Sequence, residues 1–322
     1  MLRILIVKTS SMGDVIHNLP VATDIRRQFP DAIIDWVVEE SFAQVPVLHP
    51  GVRNVIPVAL RRWRKSLTSP AIRQELSAFR SRLRMETYDV ILDTQGLVKS
   101  ALIASLARGD RRGYGWNSAR EPIASCFYQH RFSVEKTLHA VERNRLLAAK
   151  ALNYDLESLA LDYGVKAPAE RPDWLPDTPY AVLLHATSRD DKLWLENNWI
   201  TLGHKMVAAG LRCITPWGNE KEKARSERLA QEIPQAIVPN SMTLNQAATM
   251  LANANVVVGV DTGLTHFAAA LGTNVIALYT ATSPGLTGVY GDKNAINLGG
   301  AGTPPTVDDV WHHAFTLINP SL

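Results

Sequence analysis

Four short segments of this sequence gather hydroxyls, carboxylates, cations and glycine where a strand gives way to a helix. The first is Lys8-Thr9-Ser10-Ser11-Met12-Gly13-Asp14, directly after the apolar run Ile4 to Val7. Asp14 falls at or near a helix N-terminus, where a carboxylate serves as a cap and where it could also take a proton from a substrate. Spacing alone leaves both roles open. The second segment follows the apolar run Val256 to Val260 and reads Asp261-Thr262-Gly263-Leu264-Thr265-His266. A helix starting there points unsatisfied backbone N–H groups and a positive dipole end at an anion, and a diphosphate is the expected guest. A helix merely capped by Asp261 or Thr262 is the alternative.

The third segment, His185 to Trp194, places the hydroxyls of Thr187 and Ser188 near Lys192, which could neutralise a departing diphosphate or be an ordinary surface lysine. The fourth, Pro216 to Glu222, puts Glu222 in the first turn of a charged helix, where it could accept hydrogen bonds from ribose hydroxyls. The helix dipole favours a carboxylate there in any case. Basic charge is concentrated elsewhere. Between Arg61 and Arg84 stand eight basic residues and one acidic residue, Glu75, and Arg61-Arg62-Trp63-Arg64-Lys65 is the densest part. Forked guanidinium groups beside an aromatic suit phosphates or carboxylates of a large acceptor at a membrane surface. For Arg73 to Arg84 a solvated helix face is an equally natural reading.

Such loops need a scaffold that presents strand ends together. Short β-branched runs at Ile4 to Val7, Ile33 to Val38, Val55 to Val58 and Val90 to Asp93 alternate with helical periodicity at Val15 to Gln28 and Ile72 to Met85. That alternation predicts a parallel sheet covered on both faces. A second series follows Pro168, Pro172, Pro176 and Pro179, with strands at Ala181 to Leu184, Cys213 to Thr215, Val256 to Val260 and Val275 to Leu278. Helices are expected there near Trp199 to Ala209, Glu220 to Glu232 and Leu244 to Leu251. Two doubly wound α/β domains are therefore predicted, residues 1–170 and 171–322, with a cleft facing the carboxyl ends of both sheets. The last helical stretch, Thr306 to Leu317, is short enough to pack on either domain, including back on the first.

Composition narrows the class. With 46% apolar and 20% charged residues over 322 positions, the chain has the makings of a sizeable core, and a net charge of +3 gives no ground for a nucleic-acid partner. Cys126 and Cys213 form neither a disulfide framework nor a zinc pattern, and no apolar stretch reaches spanning length, so a cytosolic protein is expected. The sequence lacks G-x-G-x-x-G after a strand, G-x-x-x-x-G-K-[ST] and G-x-S-x-G, which removes support from dehydrogenase, P-loop and hydrolase readings. It also lacks aspartates spaced two apart and a histidine ligand cluster, so a leaving group would be stabilised by protein rather than by metal.

KTSSMGD at Lys8 to Asp14, RRWRK around Trp63, Gln95 to Ser100, His139-Ala140-Val141-Glu142-Arg143, Trp217-Gly218 and DTGLTH at Asp261 to His266 together resemble the lipopolysaccharide heptosyltransferases of glycosyltransferase family 9, in particular the type I enzymes. The similarity runs from the N-terminus to about Gly291. It implies a fold of the GT-B type with two Rossmann-like domains, the first for the acceptor and the second for the donor. The implied reaction is inverting, metal-independent transfer of L-glycero-D-manno-heptose from ADP-heptose to the first Kdo of Kdo2-lipid A. By motif position the resemblance makes Asp14 the base and Lys192 the phosphate contact, with Thr187, Ser188, Glu222, Met242 and Asp261 to His266 on the donor. Ser10, Arg61, Arg62, Arg64, Lys65, Gln95, Lys99, Arg120, His139 and Arg143 fall to the acceptor. A monomer in peripheral contact with the cytoplasmic face of the inner membrane is implied as well.

Two departures from the family pattern touch the donor side. Ser188 stands where threonine is expected, and Thr280-Ala281-Thr282-Ser283-Pro284-Gly285 begins differently from the expected Gly-Pro-Thr run. A type II heptosyltransferase or a related transferase with another acceptor is one alternative. A non-catalytic nucleotide- or lipopolysaccharide-binding protein is another, and it would need neither Asp14 as a base nor Lys192 at a leaving group.

Overall fold

The computed structural model describes residues 1–66, 69–291 and 294–319, and the chain divides into two compact units, Met1–Val165 and Lys166–Leu322. The first unit holds six strands, β1 (Arg3–Val7), β2 (Ile33–Glu39), β3 (Val52–Val58), β4 (Thr87–Asp93), β5 (Arg108–Tyr114) and β6 (His130–Phe132). All pair in parallel in the order β3-β2-β1-β4-β5-β6. The second unit has β7 (Tyr180–Leu184), β8 (Arg212–Ile214), β9 (Val256–Val260), β10 (Val275–Tyr279) and β11 (Ala295–Gly299), parallel in the order β11-β10-β9-β7-β8. Both are doubly wound sheets, and each reverses its winding direction at one point: between β1 and β4 in the first, between β7 and β9 in the second. Loops leaving neighbouring strands there diverge to opposite faces and leave room for a ligand.

The central residues of the strands at these points are buried on both faces, which is why Ile4 to Val7, Val90 to Leu92, Tyr180 to Leu184 and Val256 to Val260 read as apolar runs. Leu5, Val7, Val37, Ile91, Trp63, Phe79 and Leu83 share one core in the first unit. Leu183, Val256, Val258, Ile276, Trp194, Trp199 and Met206 share one in the second. Each such aliphatic side chain contributes roughly 1.5–3 kcal/mol by leaving water, so the sheet centre is the stiffest platform available to the loops above it.

Several elements differ from the sequence-based expectation. The helix predicted over Val15 to Gln28 is two helices, Met12–Ile16 and Leu19–Gln28, because Pro20 fits only in the first turn of a new helix. β5 and the helices Val98–Leu106 and Ala140–Leu152 were not expected. β5 reads RGDRRGY, whose charge hides its strand character. The proline-rich stretch belongs with the second unit, where Thr249 Oγ1 donates to the carbonyls of Pro168 and Glu170 at 3.2 and 3.1 Å. The last helix, Val307–Ile318, buries Val310 and Ala314 in the core of the second unit. Its apolar face repeats at three to four residues and matches the helix Glu196–Ala208 beside it.

Candidate active site

In the first unit, the carboxyl ends of β1 and β4 are tied to each other by one side chain. Gln95 Oε1 accepts from the N–H groups of Thr9 and Ser10 at 3.0 and 3.3 Å, and its Nε2 donates to Ser10 O at 2.7 Å. The Ser10–Ser11 peptide is cis. Gly96 follows in the left-handed region at φ +67°, with the Tyr114 ring 3.1 Å from where a Cβ would stand. Only glycine fits this turn. Lys99 Nζ then donates to Ser10 Oγ at 3.1 Å from the first turn of the next helix.

Asp14 is half-buried at the third position of the helix Met12–Ile16. Its Oδ2 accepts from Ser11 N at 2.8 Å and from Ser11 Oγ at 3.1 Å, so it does cap the chain. Among the described residues no hydrogen bond reaches Oδ1. One oxygen fixes the carboxylate while the other is available to a proton. Beneath it Lys8 is buried, donating to Thr94 O at 2.9 Å and to Asn144 Oδ1 at 3.4 Å. Burial pushes the Lys8 ammonium below its ordinary value, while the charges of Asp14 and Asp93 work against that shift and those of Arg143 and Arg120 add to it. These five charges are thus one electrostatic group.

Asp93 is the fully buried anchor of the site floor. Its carboxylate accepts from the N–H groups of Gln95 and Gly96 at 2.8 and 3.2 Å and from Tyr128 OH at 2.7 Å. Burial raises its pKa, and those hydrogen bonds oppose the shift. His139 caps the helix Ala140–Leu152, accepting from Val141 N at 3.2 Å, and meets His17 edge to face at 5.2 Å. Arg143 donates to Ser118 O at 2.7 Å and lies over the Tyr114 ring at 5.1 Å. Arg120 is exposed beside Gly96 and has no carboxylate partner among the described residues.

The basic segment divides by use. Arg62 is bound on both sides, its Nε and Nη2 to Glu40 at 3.1 Å and its Nη1 to Glu75 at 2.9 Å. Trp63 is buried and donates to Glu75 at 2.6 Å. Arg61 stacks over Phe42 at 5.1 Å, and its N–H donates to Glu39 at 3.1 Å. Arg64 and Lys65 are exposed and have no ion-pair partner among the described residues. The anions that offset this cluster therefore include two glutamates of the protein itself. Arg73, Arg80 and Arg84 lie on the exposed face of the helix Pro70–Leu83 and at its end, as the solvated reading expects.

In the second unit, the ends of β7 and β9 meet through Asp261. Lys192 Nζ donates to Asp261 Oδ2 at 2.6 Å, Thr282 Oγ1 donates to the same oxygen at 2.9 Å, and His266 Nε2 stands 3.5 Å from Oδ1. Burial by itself would raise the Asp261 carboxyl, but hydrogen bonds from His266 and Lys192 outweigh it and hold the group well below the usual carboxylate range. Thr187 Oγ1 donates to Asp261 O at 3.2 Å. Ser188 is exposed at the rim.

The helix Gly263–Ala270 begins beside this cluster, with Thr262 as its extended N-cap residue making no side-chain capping bond. Thr265 N turns back to Thr262 O at 3.1 Å, whereas no hydrogen bond among the described residues takes the N–H groups of Gly263 and Leu264. Thr265 Oγ1 donates to Val260 O at 2.7 Å, a fold-back that requires Gly259, where a Cβ would sit 2.2 Å from Thr265 Oγ1. Two open amides, a dipole end and a lysine anchored by an aspartate are an arrangement chemically able to accept phosphate oxygens.

Glu222 is engaged locally, accepting from Gly218 N at 2.8 Å and Asn219 Nδ2 at 2.7 Å, and so braces the loop after β8. Lys221 Nζ reaches Asp190 at 2.8 Å, linking that loop to the one after β7. Met242 is half-buried one residue before Thr243, which caps the helix Leu244–Ala252. Among the described residues no three histidine, cysteine, aspartate or glutamate side chains gather in a way that could hold a metal ion.

Residues 76–310 match the family model described as glycosyltransferase family 9 (heptosyltransferase). The chain belongs to this family. Its similarity extends well beyond that segment: it is 48% identical to lipopolysaccharide heptosyltransferase 1 of Salmonella typhimurium over 90% of this chain and 92% of the relative. The Escherichia coli heptosyltransferase WaaC solved with ADP superposes with a TM-score of 0.92 at 44% identity, covering 98% of this chain and all of that one. The same enzyme solved with ADP-2-deoxy-2-fluoro heptose gives 0.87 at 42% identity over the full length of both. The chain therefore has the two-domain α/β fold of these transferases and is itself a glycosyltransferase.

Within this family-9 chain the sequence missed Lys8 as a group coupled to Asp14, Asp93 and Tyr128 as the floor, and Thr282 as a partner of Asp261. Lys8 stood in a quoted motif, so a buried cation beside an aspartate was the signal. Thr282 lies in the run that departs from the family pattern and carried no such signal.

Proposed function

We propose that this family-9 enzyme transfers L-glycero-D-manno-heptose from ADP-heptose to the first Kdo of Kdo2-lipid A, with inversion at the anomeric carbon and without a metal. The observation that carries the reading is the Lys192–Asp261–His266 array beside the open amides of Gly263 and Leu264. The second unit takes the donor, with Thr187, Ser188, Glu222 and Met242 completing its site. The first takes the acceptor through Ser10, Gln95, Lys99, Arg120, His139, Arg143 and the Arg61–Lys65 segment.

Asp14 Oδ1 removes the proton of the attacking Kdo hydroxyl. The oxygen then forms the new glycosidic bond to the anomeric carbon, while the old carbon–oxygen bond breaks and its electron pair leaves with ADP. Lys192 and the amides offset the charge that develops on the departing diphosphate. Asp261 holds the Lys192 ammonium in place, so little reorganisation is needed as that charge appears.

Among the described residues no helix is long and apolar enough to cross a membrane. A monomeric, cytoplasmic enzyme meeting its lipid-linked acceptor at the inner membrane surface fits the reading. The test is incubation with ADP-heptose and deacylated Kdo2-lipid A in excess chelator. ADP release with a product extended by one heptose is expected. Release only when an already heptosylated acceptor is supplied would reassign the acceptor, and binding of ADP without any turnover would overturn the reading.

A further inference from the structure

Near the acceptor residues of the first unit, three large apolar side chains stand in solvent. Leu102, Trp116 and Ile123 are 50%, 55% and 59% exposed. Leu102 lies on the helix Val98–Leu106 and Ile123 on the short 3₁₀ helix Pro122–Phe127. Those two elements are packed together through Ala101, Ala124 and Tyr128, and Ala101 and Ala124 are next in the chain to Leu102 and Ile123. Trp116 is on the loop that follows β5, and the same loop brings Ala119 and Arg120 against Gly96.

Charge around this face is one-sided. Residues 97–132 contain six arginines and lysines against two acidic residues. Both acids are already engaged, Asp110 with Arg112 at 2.7 Å and Glu121 with the N–H of Val98 at 2.7 Å. Lys99, Arg120 and Arg131 are exposed. A tryptophan and aliphatic side chains amid uncompensated cations match the boundary of an anionic bilayer, where apolar groups enter the acyl edge and cations meet lipid phosphates.

We propose that this face, formed by Leu102, Trp116 and Ile123 with Lys99, Arg120 and Arg131, is the surface by which the protein docks on an anionic membrane. The inference rests on the reading that the acceptor is lipid-linked. Docking there sets the first unit's strand-end loops at the plane where such an acceptor's sugars emerge.

Cys126 provides a native probe. It is exposed on the same 3₁₀ helix, whereas Cys213 is buried and its thiol is pushed up to about 12 by burial. An environment-sensitive fluorophore on Cys126 of the full chain is titrated with vesicles of phosphatidylglycerol and phosphatidylethanolamine, and with phosphatidylcholine alone. A blue shift on the anionic vesicles, weakened by salt, is expected. The L102S/W116S/I123S variant should bind about tenfold or more weakly, since three apolar groups no longer leave water. Its turnover of deacylated acceptor should equal that of the parent protein, which also shows that it is folded. A silent probe on protein that sediments with vesicles, equal binding to phosphatidylcholine, or undiminished binding by the variant would overturn the proposal. Absence of turnover by the parent protein on deacylated acceptor would strike at the proposed reaction instead, and the vesicle titration would still read the docking surface.

Discussion

Replacing Asp14 by asparagine separates two roles that alanine would remove together. An asparagine oxygen still accepts from Ser11 N and Ser11 Oγ, the bonds of 2.8 and 3.1 Å that fix the loop, but it cannot carry away a proton. Loss of a cap costs about 0.5–2 kcal/mol, and loss of a general base costs about two to four orders of magnitude in rate. A folded domain holds roughly 5–15 kcal/mol, so losing a cap leaves nearly all molecules native and cannot by itself reduce turnover a hundredfold. Asp14→Asn should therefore melt within about 1–2 °C of the parent, and Asp14→Ala should melt about 2–8 °C lower. Both should lose about 10²–10⁴ in kcat while ADP affinity stays nearly constant. The measurements are thermal unfolding by circular dichroism, ADP titration by calorimetry, and ADP release at saturating substrates. An asparagine variant that retains more than about a tenth of the turnover would refute the base and leave Asp14 a cap.

Lys192→Met should lower kcat about 10²-fold or more, whereas Asp261→Asn, which leaves the cation in place but unanchored, should cost less in single-turnover measurements; equal losses would mean that the ammonium does not act on the leaving group directly. Glu75→Gln weakens the exposed bracket on Arg62 and Trp63, so the acceptor KM should rise roughly two- to fivefold with the donor KM unchanged. A change confined to the donor KM would place the basic segment on the other substrate. His185, buried against Ser226 at 2.8 Å, has its pKa lowered to about 4 by burial and then by the Arg225 charge. The unfolded chain therefore takes up this proton first, so stability complete above pH 6.5 falls between pH 6.5 and 4, by about 2–3 kcal/mol for this group. Urea unfolding of the second unit at pH 7 and 5 should show the loss, and His185→Asn should flatten it. His49, lowered to about 4 by its own burial, predicts the same direction for the first unit.

How much of this was legible beforehand follows from where each signal resides. Strand centres buried on both faces are apolar, so Ile4 to Val7 in β1, Val90 to Leu92 in β4, and β7 and β9 stand out in the sequence, and the polar loops after them mark the site. That is why KTSSMGD, His185 to Lys192 and DTGLTH could be picked out by position alone. β5 was invisible because its charged residues are accommodated by particular partners, Arg112 by the carbonyl of Ala151 and Arg111 by the carbonyl of Phe127 at 2.9 Å. Pairing of that kind is a property of distant residues and leaves no period in the chain.

The same division separates candidate residues from their roles. Residue type and local spacing determined that Asp14, Lys192 and Asp261 stand at strand ends, because strand and helix periods are local. Tertiary structure alone decided that Lys192 belongs to Asp261, 69 residues away, and that Arg62 is held between Glu40 and Glu75. Electrostatic partnership falls off with distance in space rather than along the chain, and only the packed sheets fix that distance.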